Sequence, residues 1–466
     1  MKRSHWMKSV SAGAMAACAA TGGASAQVEE IVVTTQKREQ SLRDVPVNIT
    51  AYSGDFLDRI GVQQFDELAD FVPGLEIQEQ SPNNPGFVIR GITSDSGGAD
   101  VEPRVSIFQD GVSISKSRGS FVELFDLERV EVAKGPQSTL FGRGALIGGI
   151  NIIQAKPKPE LSAGITAEYG NNGYDMVEGF VNAPIVGDVL MGRVAVRHKT
   201  RDGYVDNALG GTDFNSVEMA AGRATLRFNP GAALDANLIL NYQHDTPAGT
   251  AFKSGTFAPP GGDLNPSNPA ALNAFGDIDD GSDLGLDREV WGATLLLDGA
   301  LTDALSYTSI TAFRRFDSIE VFDPDGFSLP VFLFAEDATG EQWSQEFRLI
   351  FEDGGPVSGF LGGSWIHQEG QQRVPLQYDE RAFFALTGGL LTDPFNVPTI
   401  DVLDQQIQGL IGAGLVPPIP FKPIHQEEFS NFEESDSFDV FADVTVEVFE
   451  GLELTAGGRW TYDDKR

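Results

Sequence analysis

The residues best able to do chemistry are scattered. Five histidines, His5, His198, His244, His367 and His425, stand far apart in the chain, and each reads as a residue of a loop or of a water-filled interior rather than a metal ligand. Glu433-Glu434 has the composition of a general acid–base pair, but it sits in a long polar stretch and reads as solvated loop. Gly142 and Gly144 open a G-x-G, yet Ile147 stands where the third glycine belongs, so the dinucleotide fingerprint fails. Gly111 to Ser117 resembles a phosphate loop only until Lys116 takes the place of the second glycine. Neither H-E-x-x-H nor G-x-S-x-G occurs. No enzyme, metal or cofactor is therefore expected. What remains is backbone chemistry. Glu29-Glu30-Ile31-Val32-Val33-Thr34-Thr35 is a short β-branched run in polar surroundings, continued by Gln36-Lys37-Arg38-Glu39. Such a segment either pairs edge-on with a strand of a partner or forms the first strand of the folded chain, and the residues alone leave both open.

The whole chain limits who that partner is. Acidic residues outnumber basic ones 67 to 33 over 466 residues, a formal charge of −34, which excludes a general nucleic-acid binder. No stretch of about 18 apolar residues follows the N-terminus, so transmembrane helices are not expected. The 53 glycines, 25 prolines and 32 phenylalanines favour strands and turns. Residues 1–26 read as a signal peptide: Lys2, Arg3 and Lys8 precede the apolar run Val10 to Ala20, and Ala24-Ser25-Ala26 has the small-x-small form of a cleavage site. Cleavage there removes three cations and the only cysteine, Cys18, taking the charge from −34 to −37. A lipoprotein signal ending at Cys18 is the rival reading, with a shorter apolar run. Cysteine-free export suits a Gram-negative envelope.

Residues 27–40 then form an extended linker, and 41–155 read as a compact α+β domain. Val45-Pro46-Val47-Asn48-Ile49-Thr50 is a short strand. Ser53 or Asp55 caps a helix, and a second helical pattern places Phe65, Leu68 and Phe71 on one face before Pro73-Gly74 stops it. Phe87 to Gly91 and Arg104 to Phe108 are strands, and Gln109-Asp110-Gly111 is a hairpin signal. In order and in residues this stretch resembles the plug domain of TonB-dependent outer-membrane receptors. The matches are Glu30-Ile31-Val32-Val33-Thr34 (the TonB box), Asp44-Val45-Pro46, Val72-Pro73-Gly74-Leu75, Ile89-Arg90-Gly91 and Asp110-Gly111. The longest runs from Leu127-Glu128-Arg129-Val130-Glu131-Val132-Ala133-Lys134-Gly135-Pro136 through Gly142-Arg143, and Gly148-Gly149-Ile150-Asn151 completes it. Lys134 stands where arginine is usual, and Gly144 where asparagine or serine is common.

Residues 156–466 show period-two alternation. Leu161 to Tyr169, Leu234 to Tyr242 and Phe438 to Val448 each place apolar residues at every second position, the pattern of a barrel strand with lipid on one side and water on the other. A soluble β-sandwich alternates too. Short turns at about 184–188, 229–233, 299–304, 352–358 and 449–451 separate long polar connections at about 201–214, 246–288, 317–340 and 371–435, which favours the barrel. About eleven strands are expected, against about 22 in barrels that enclose a folded plug. The chain thus reads as an α+β plug inside the N-terminal half of a transmembrane antiparallel β-barrel, from a fragment or a truncated gene.

The resemblance implies energy-coupled uptake of a scarce small molecule across the outer membrane. TonB, with its inner-membrane energising complex, would grip residues 30–34. Iron–siderophore complexes are the family's commonest cargo, with cobalamin, haem and oligosaccharides as competitors. Arg90 and Lys134 match plug positions whose cations face glutamates of the barrel wall, with Glu346 as candidate partner. The outward plug loops would be about Glu79–Gly86, Thr93–Pro103 and Ser113–Gly119. Their ligand-facing candidates are Asn83, Asn84, Ser94, Asp95, Lys116 and Arg118, the two cations being suited to an anionic ligand. A sensor-transducer of the same family, a passive porin or adhesin barrel, and a secreted β-rich binding protein are the competing functions.

Overall fold

The computed structural model describes residues 32–466 except 35–36, 38–39, 44, 46, 79–80, 82, 94–97, 99–102, 121, 137–141, 143–144, 211, 259–261, 266–283 and 327. The expected signal peptide lies outside the described residues, as do Glu30, Ile31, Ser94 and Asp95.

Turns outline the N-terminal domain. Its strands are β1 (Val32–Val33), β2 (Gln40–Ser41), β3 (Ile49–Ser53), β4 (Leu75–Gln78), β5 (Gly86–Ile89), β6 (Ile92–Thr93), β7 (Val105–Gln109), β8 (Val112–Ile114), β9 (Leu127–Lys134) and β10 (Gly148–Gln154). Asp110 (φ 51°) and Gly111 (φ 80°) join β7 to β8, and Arg90 (φ 54°) and Gly91 (φ 76°) join β5 to β6. Two successive positive φ angles are what a two-residue type I′ hairpin requires. One sheet runs β3–β9–β10–β7–β8, with β10 and β7 parallel. The ladder at β3 begins beyond Pro46, which has no N–H to donate, so the strand expected over 45–50 starts at Ile49 instead.

Helices α1 (Gly54–Ile60) and α2 (Phe65–Phe71) lie between β3 and β4. Phe65 and Leu68 are fully buried in a core with Ile89, Ile107, Ile150 and Ile152. Phe71, expected on the same face, is exposed. Six residues along a helix turn the side chain about 240° from its start, so Phe71 has left the stripe that Phe65 opens.

The rest of the chain is one antiparallel sheet of eleven strands in sequence order. They are β11 (Ser162–Tyr169), β12 (Asp175–Val186), β13 (Leu190–Arg201), β14 (Val217–Gly231), β15 (Leu234–Asp245), β16 (Gly285–Thr302), β17 (Leu305–Phe322), β18 (Leu333–Glu352), β19 (Val357–Tyr378), β20 (His425–Phe449) and β21 (Leu452–Lys465). Its inner row buries Arg197, Lys199, Arg223, Arg288, Gln342 and Glu433, while its outer row exposes Val194, Leu240, Trp291, Trp343, Leu361 and Val440. Charge inside and hydrocarbon outside is the wall of a membrane barrel and not a layer of a soluble sandwich, whose inner faces would be apolar. No helix among the described residues is long and apolar enough to cross a membrane.

Short connections alternate with long ones, as expected from the sequence, but the strands run further outward. The connection expected over 371–435 narrows to 379–424 and contains α3 (Glu380–Thr387) and α4 (Ile400–Gly412). Beyond the lipid both strand faces meet water, so Gln371, Arg373, Glu428 and Ser430 carry no apolar alternation to read. Ala382, Ala385, Leu403 and Ile407 are fully buried, and all but Ile407 join Leu329 and Val331 in a small loop core.

Residues 27–155, expressed alone, are expected to unfold cooperatively in urea. Leu68→Ala should lower their stability by about 2–5 kcal/mol, and Phe71→Ala by about 0.5 kcal/mol. Equal losses would contradict this assignment of the buried face.

Candidate functional site

The box segment is held from two sides. Val32 and Val33 pair antiparallel with Ser41 and Gln40, and Val33 is fully buried against Val45 and Ala51. The Thr34 N–H donates to Glu131 Oε1 at 2.9 Å. Arg129 braces the same carboxylate at 2.8 Å and donates to Thr34 Oγ1 at 3.2 Å. Three residues on, the chain reaches the barrel wall. Lys37 Nζ donates to Glu346 Oε2 on β18 at 2.5 Å, and Arg348 Nη1 donates to the Lys37 carbonyl at 2.8 Å. The ammonium also lies 4.9 Å from the Phe441 ring centroid. Burial pulls the Lys37 ammonium down to about 8, with Glu346 opposing that shift.

Glu346 is thus a wall partner of the plug, but its cation is Lys37 and not Arg90 or Lys134. Arg90 occupies the exposed β5–β6 turn with a positive φ. Lys134 Nζ donates to Thr50 Oγ1 at 2.9 Å and to the Pro73 carbonyl at 3.3 Å. Burial lowers its pKa, and the neighbouring Arg90 lowers it further. Among the described residues neither cation meets a carboxylate of the wall.

Lys116 and Arg118 also differ from expectation. Both are buried, Lys116 paired with Glu433 on β20 and Arg118 with Glu336 on β18. Their charge is answered by the wall instead of facing outward, because a buried cation without a counter-charge is costly. Ser115 Oγ donates to Gln342 Oε1 nearby at 2.6 Å. Asn83 is fully buried with both side-chain polar atoms unpartnered, and Asn84 is half-buried.

A second set of plug–wall charges escaped the sequence reading. Glu123 accepts from Arg197 Nη1 at 3.1 Å and from Lys199 Nζ at 2.9 Å. Asp126 accepts from Arg193 Nε at 2.9 Å, and Arg223 donates to the Asp126 carbonyl at 2.9 Å. The Arg197 and Arg223 guanidiniums lie 5.5 and 4.7 Å from the ring centroid of Phe125. Arg193, Arg197 and Lys199 share one inward row of β13, and that period-two spacing of cations was the available signal.

Between plug and wall lies a cavity of about 1330 Å³ lined by Thr34, Lys37, Asp110, Asn151, Glu346 and Arg348 among others. Asp110 accepts from the Gln154 N–H at 3.0 Å, and burial raises its carboxyl pKa. For a metal, His367, Glu434 and Asp436 bring ligand atoms within 4.8 Å of one another. They lie on the outer row of β19 and β20, where His367 Nδ1 is already 3.1 Å from Asp436 Oδ1.

A plug braced by charge inside a polar-lined, lipid-faced sheet defines a plugged outer-membrane barrel. The family model of the TonB-dependent receptor plug domain matches residues 41–149. The pesticin receptor of Yersinia pestis is 29% identical over 210 residues, 44% of this chain and 31% of that protein. The vitamin B12 transporter BtuB of Photobacterium profundum is 28% identical over 180 residues, 37% of this chain and 28% of that protein. The crystal structure of the ferric yersiniabactin uptake receptor FyuA from Yersinia pestis superposes with a TM-score of 0.65 at 18% identity, over 90% of this chain and 61% of that one. Residues 41–149 are therefore a TonB-dependent receptor plug domain, the chain as a whole shares the fold of the FyuA receptor, and its matches span less than a third of these two curated relatives.

With Cys18 as the only natural cysteine, Val33→Cys is a clean reporter of the docked box. Lys37→Met removes the ammonium that clasps the box segment, while Arg348 Nε still pairs with Glu346 Oε1 at 3.1 Å, at a cost of about 1.5–3 kcal/mol. Thiol labelling at position 33 should rise about 100-fold, and an unchanged rate would contradict the clasp. The native Asp110 holds its proton more tightly than the unfolded chain does. Its contribution to stability is therefore present at low pH and lost as pH rises past about 4. Asp110→Asn keeps the acceptor and tolerates positive φ, so it should raise the unfolding temperature near neutral pH and lose that gain toward pH 4.

Proposed function

We propose that this chain forms the plug and part of the wall of a receptor that imports a scarce small molecule across the outer membrane, powered from the inner membrane through TonB. The observation that carries the reading is the placement of Val32–Thr34 and Lys37. One short segment is bound at once to the plug through Glu131 and to the wall through Glu346 and Arg348. A partner that adds a strand to this segment would compete with β2 for its backbone, and pulling on it would act on both contacts. An outer membrane has no nucleotide fuel, so such a handle is how work done elsewhere reaches a tightly bound ligand.

The cargo class is an iron chelate or cobalamin. Its support is the naming of the relatives, one a vitamin B12 transporter and one a ferric yersiniabactin uptake receptor. Lys116 and Arg118 are neutralised by wall glutamates, so their charge gives no preference for an anion. No catalytic step is part of the reading. The signal peptide, the TonB partner and the latch role of Glu346 belong to the same proposal.

Val32→Pro removes a backbone donor that strand addition needs. In outer membranes that carry the protein, uptake of the cognate ligand should fall to background while its surface affinity stays at the parent value. Equal uptake by variant and parent would overturn the reading.

A further inference from the structure

Among the described residues, two buried apolar clusters hold residues of both plug and wall, and they are built differently. In one, Phe125 packs on Ala195, Met219 and Ala221, and the Glu123 and Asp126 ion pairs with Arg193, Arg197 and Lys199 surround it. In the other, Val112 at the β7–β8 hairpin packs on Ile239, Leu296, Ile310 and Ala312 of β15, β16 and β17. The flanking plug–wall hydrogen bonds there end on side-chain amides of the plug: Gln154 Nε2 donates to Asn241 Oδ1 at 3.0 Å, and the Arg314 guanidinium donates through Nη1 to Gln109 Oε1 at 2.7 Å. Among the described residues no ion pair crosses this second contact. Gly111 lies so near the wall that a Cβ would stand 3.2 Å from Ile310 Cδ1, and its φ is +80°.

The cavity of about 1330 Å³ opens directly beneath this second contact. Leu296, Ile310, Asp110 and Gly111 line it from the contact, and Thr34 and Lys37 line it from the box segment. Asn151, nine-tenths buried, also lines it, and its Oδ1 has no hydrogen-bond partner. Sites for drug-sized molecules occupy about 300–1,000 Å³, so a small cargo fits this space.

We infer that the ligand's route passes between the β7–β8 hairpin and strands β15–β17, with Val112 on its four wall residues as the seal. The Phe125 contact is the fixed side of the plug. This deepens the transport reading and rests on it, but the seal itself needs neither ligand nor TonB. Burying a hydroxyl without a partner weakens an apolar contact, while lifting Val112 opens the cavity to the outside. The box segment shares that cavity, so displacing Lys37 removes support from the same side that the seal closes.

The test is ion conductance of the protein in planar lipid bilayers, with small inorganic ions as the probe. Val112→Thr keeps the side-chain shape and adds a hydroxyl, and Ile310→Ala thins the wall side. Each should raise leak conductance about tenfold, whereas Phe125→Ala, with its ion pairs in place, should leave it at the parent value. Heat-dependent migration on gels confirms that each variant is folded. Leak from Phe125→Ala with Val112→Thr and Ile310→Ala tight would overturn the inference, as would parent-level conductance in all three. A tight seam together with retained uptake would refute the route and leave the transport reading intact; a leaking seam without any uptake would do the reverse.

Discussion

Every charge that the described plug buries against the wall has to be answered by the wall. Lys37 meets Glu346, Lys116 meets Glu433, Arg118 meets Glu336, Glu123 meets Arg197 and Lys199, and Asp126 meets Arg193. Isolated buried charges are costly, and removing one member of a pair costs more than exchanging both for apolar residues. This constraint explains the inverted sheet. The inner row must be polar to receive the plug, and the outer row must be apolar to meet lipid. It also fixes the orientation of the plug, since each pair links a particular plug residue to a particular strand.

The pairs are unevenly spread. On β12, β13 and β14 they are dense, mutually braced and stacked over Phe125. On β18 the box segment hangs on one ammonium and one carbonyl. Between them the Val112 contact relies on apolar packing and on hydrogen bonds to side-chain amides, with no ion pair among the described residues. Work applied at the box therefore meets its weakest resistance near β18 and its strongest at β13. A plug built this way yields on one side while the other keeps its place.

The architecture was largely legible in the residues because it rests on local pattern. Asp110-Gly111 states its own turn, and Phe438 to Val448 alternates because one face meets lipid. The charge pairing was not legible. Lys116 and Arg118 lie in a Ser- and Gly-rich stretch that looks like free loop, and their partners are more than 200 residues away. Lys37 sits in a polar run with no hint of Glu346. Arg90 lies in an exposed turn, which its motif position does not reveal, and it meets no wall carboxylate among the described residues. The two helices after β19 carry no lipid-facing signal, and they cover only a small loop core.

Force spectroscopy on the receptor in a lipid bilayer, pulling from the Val32 end, tests the uneven bracing most directly. The expected result is an early, weak release of the box segment, followed by a distinctly stronger barrier where Glu123 and Asp126 hold β13. Extraction of the whole plug in one step, with no barrier between Val33 and Asp126, would contradict it.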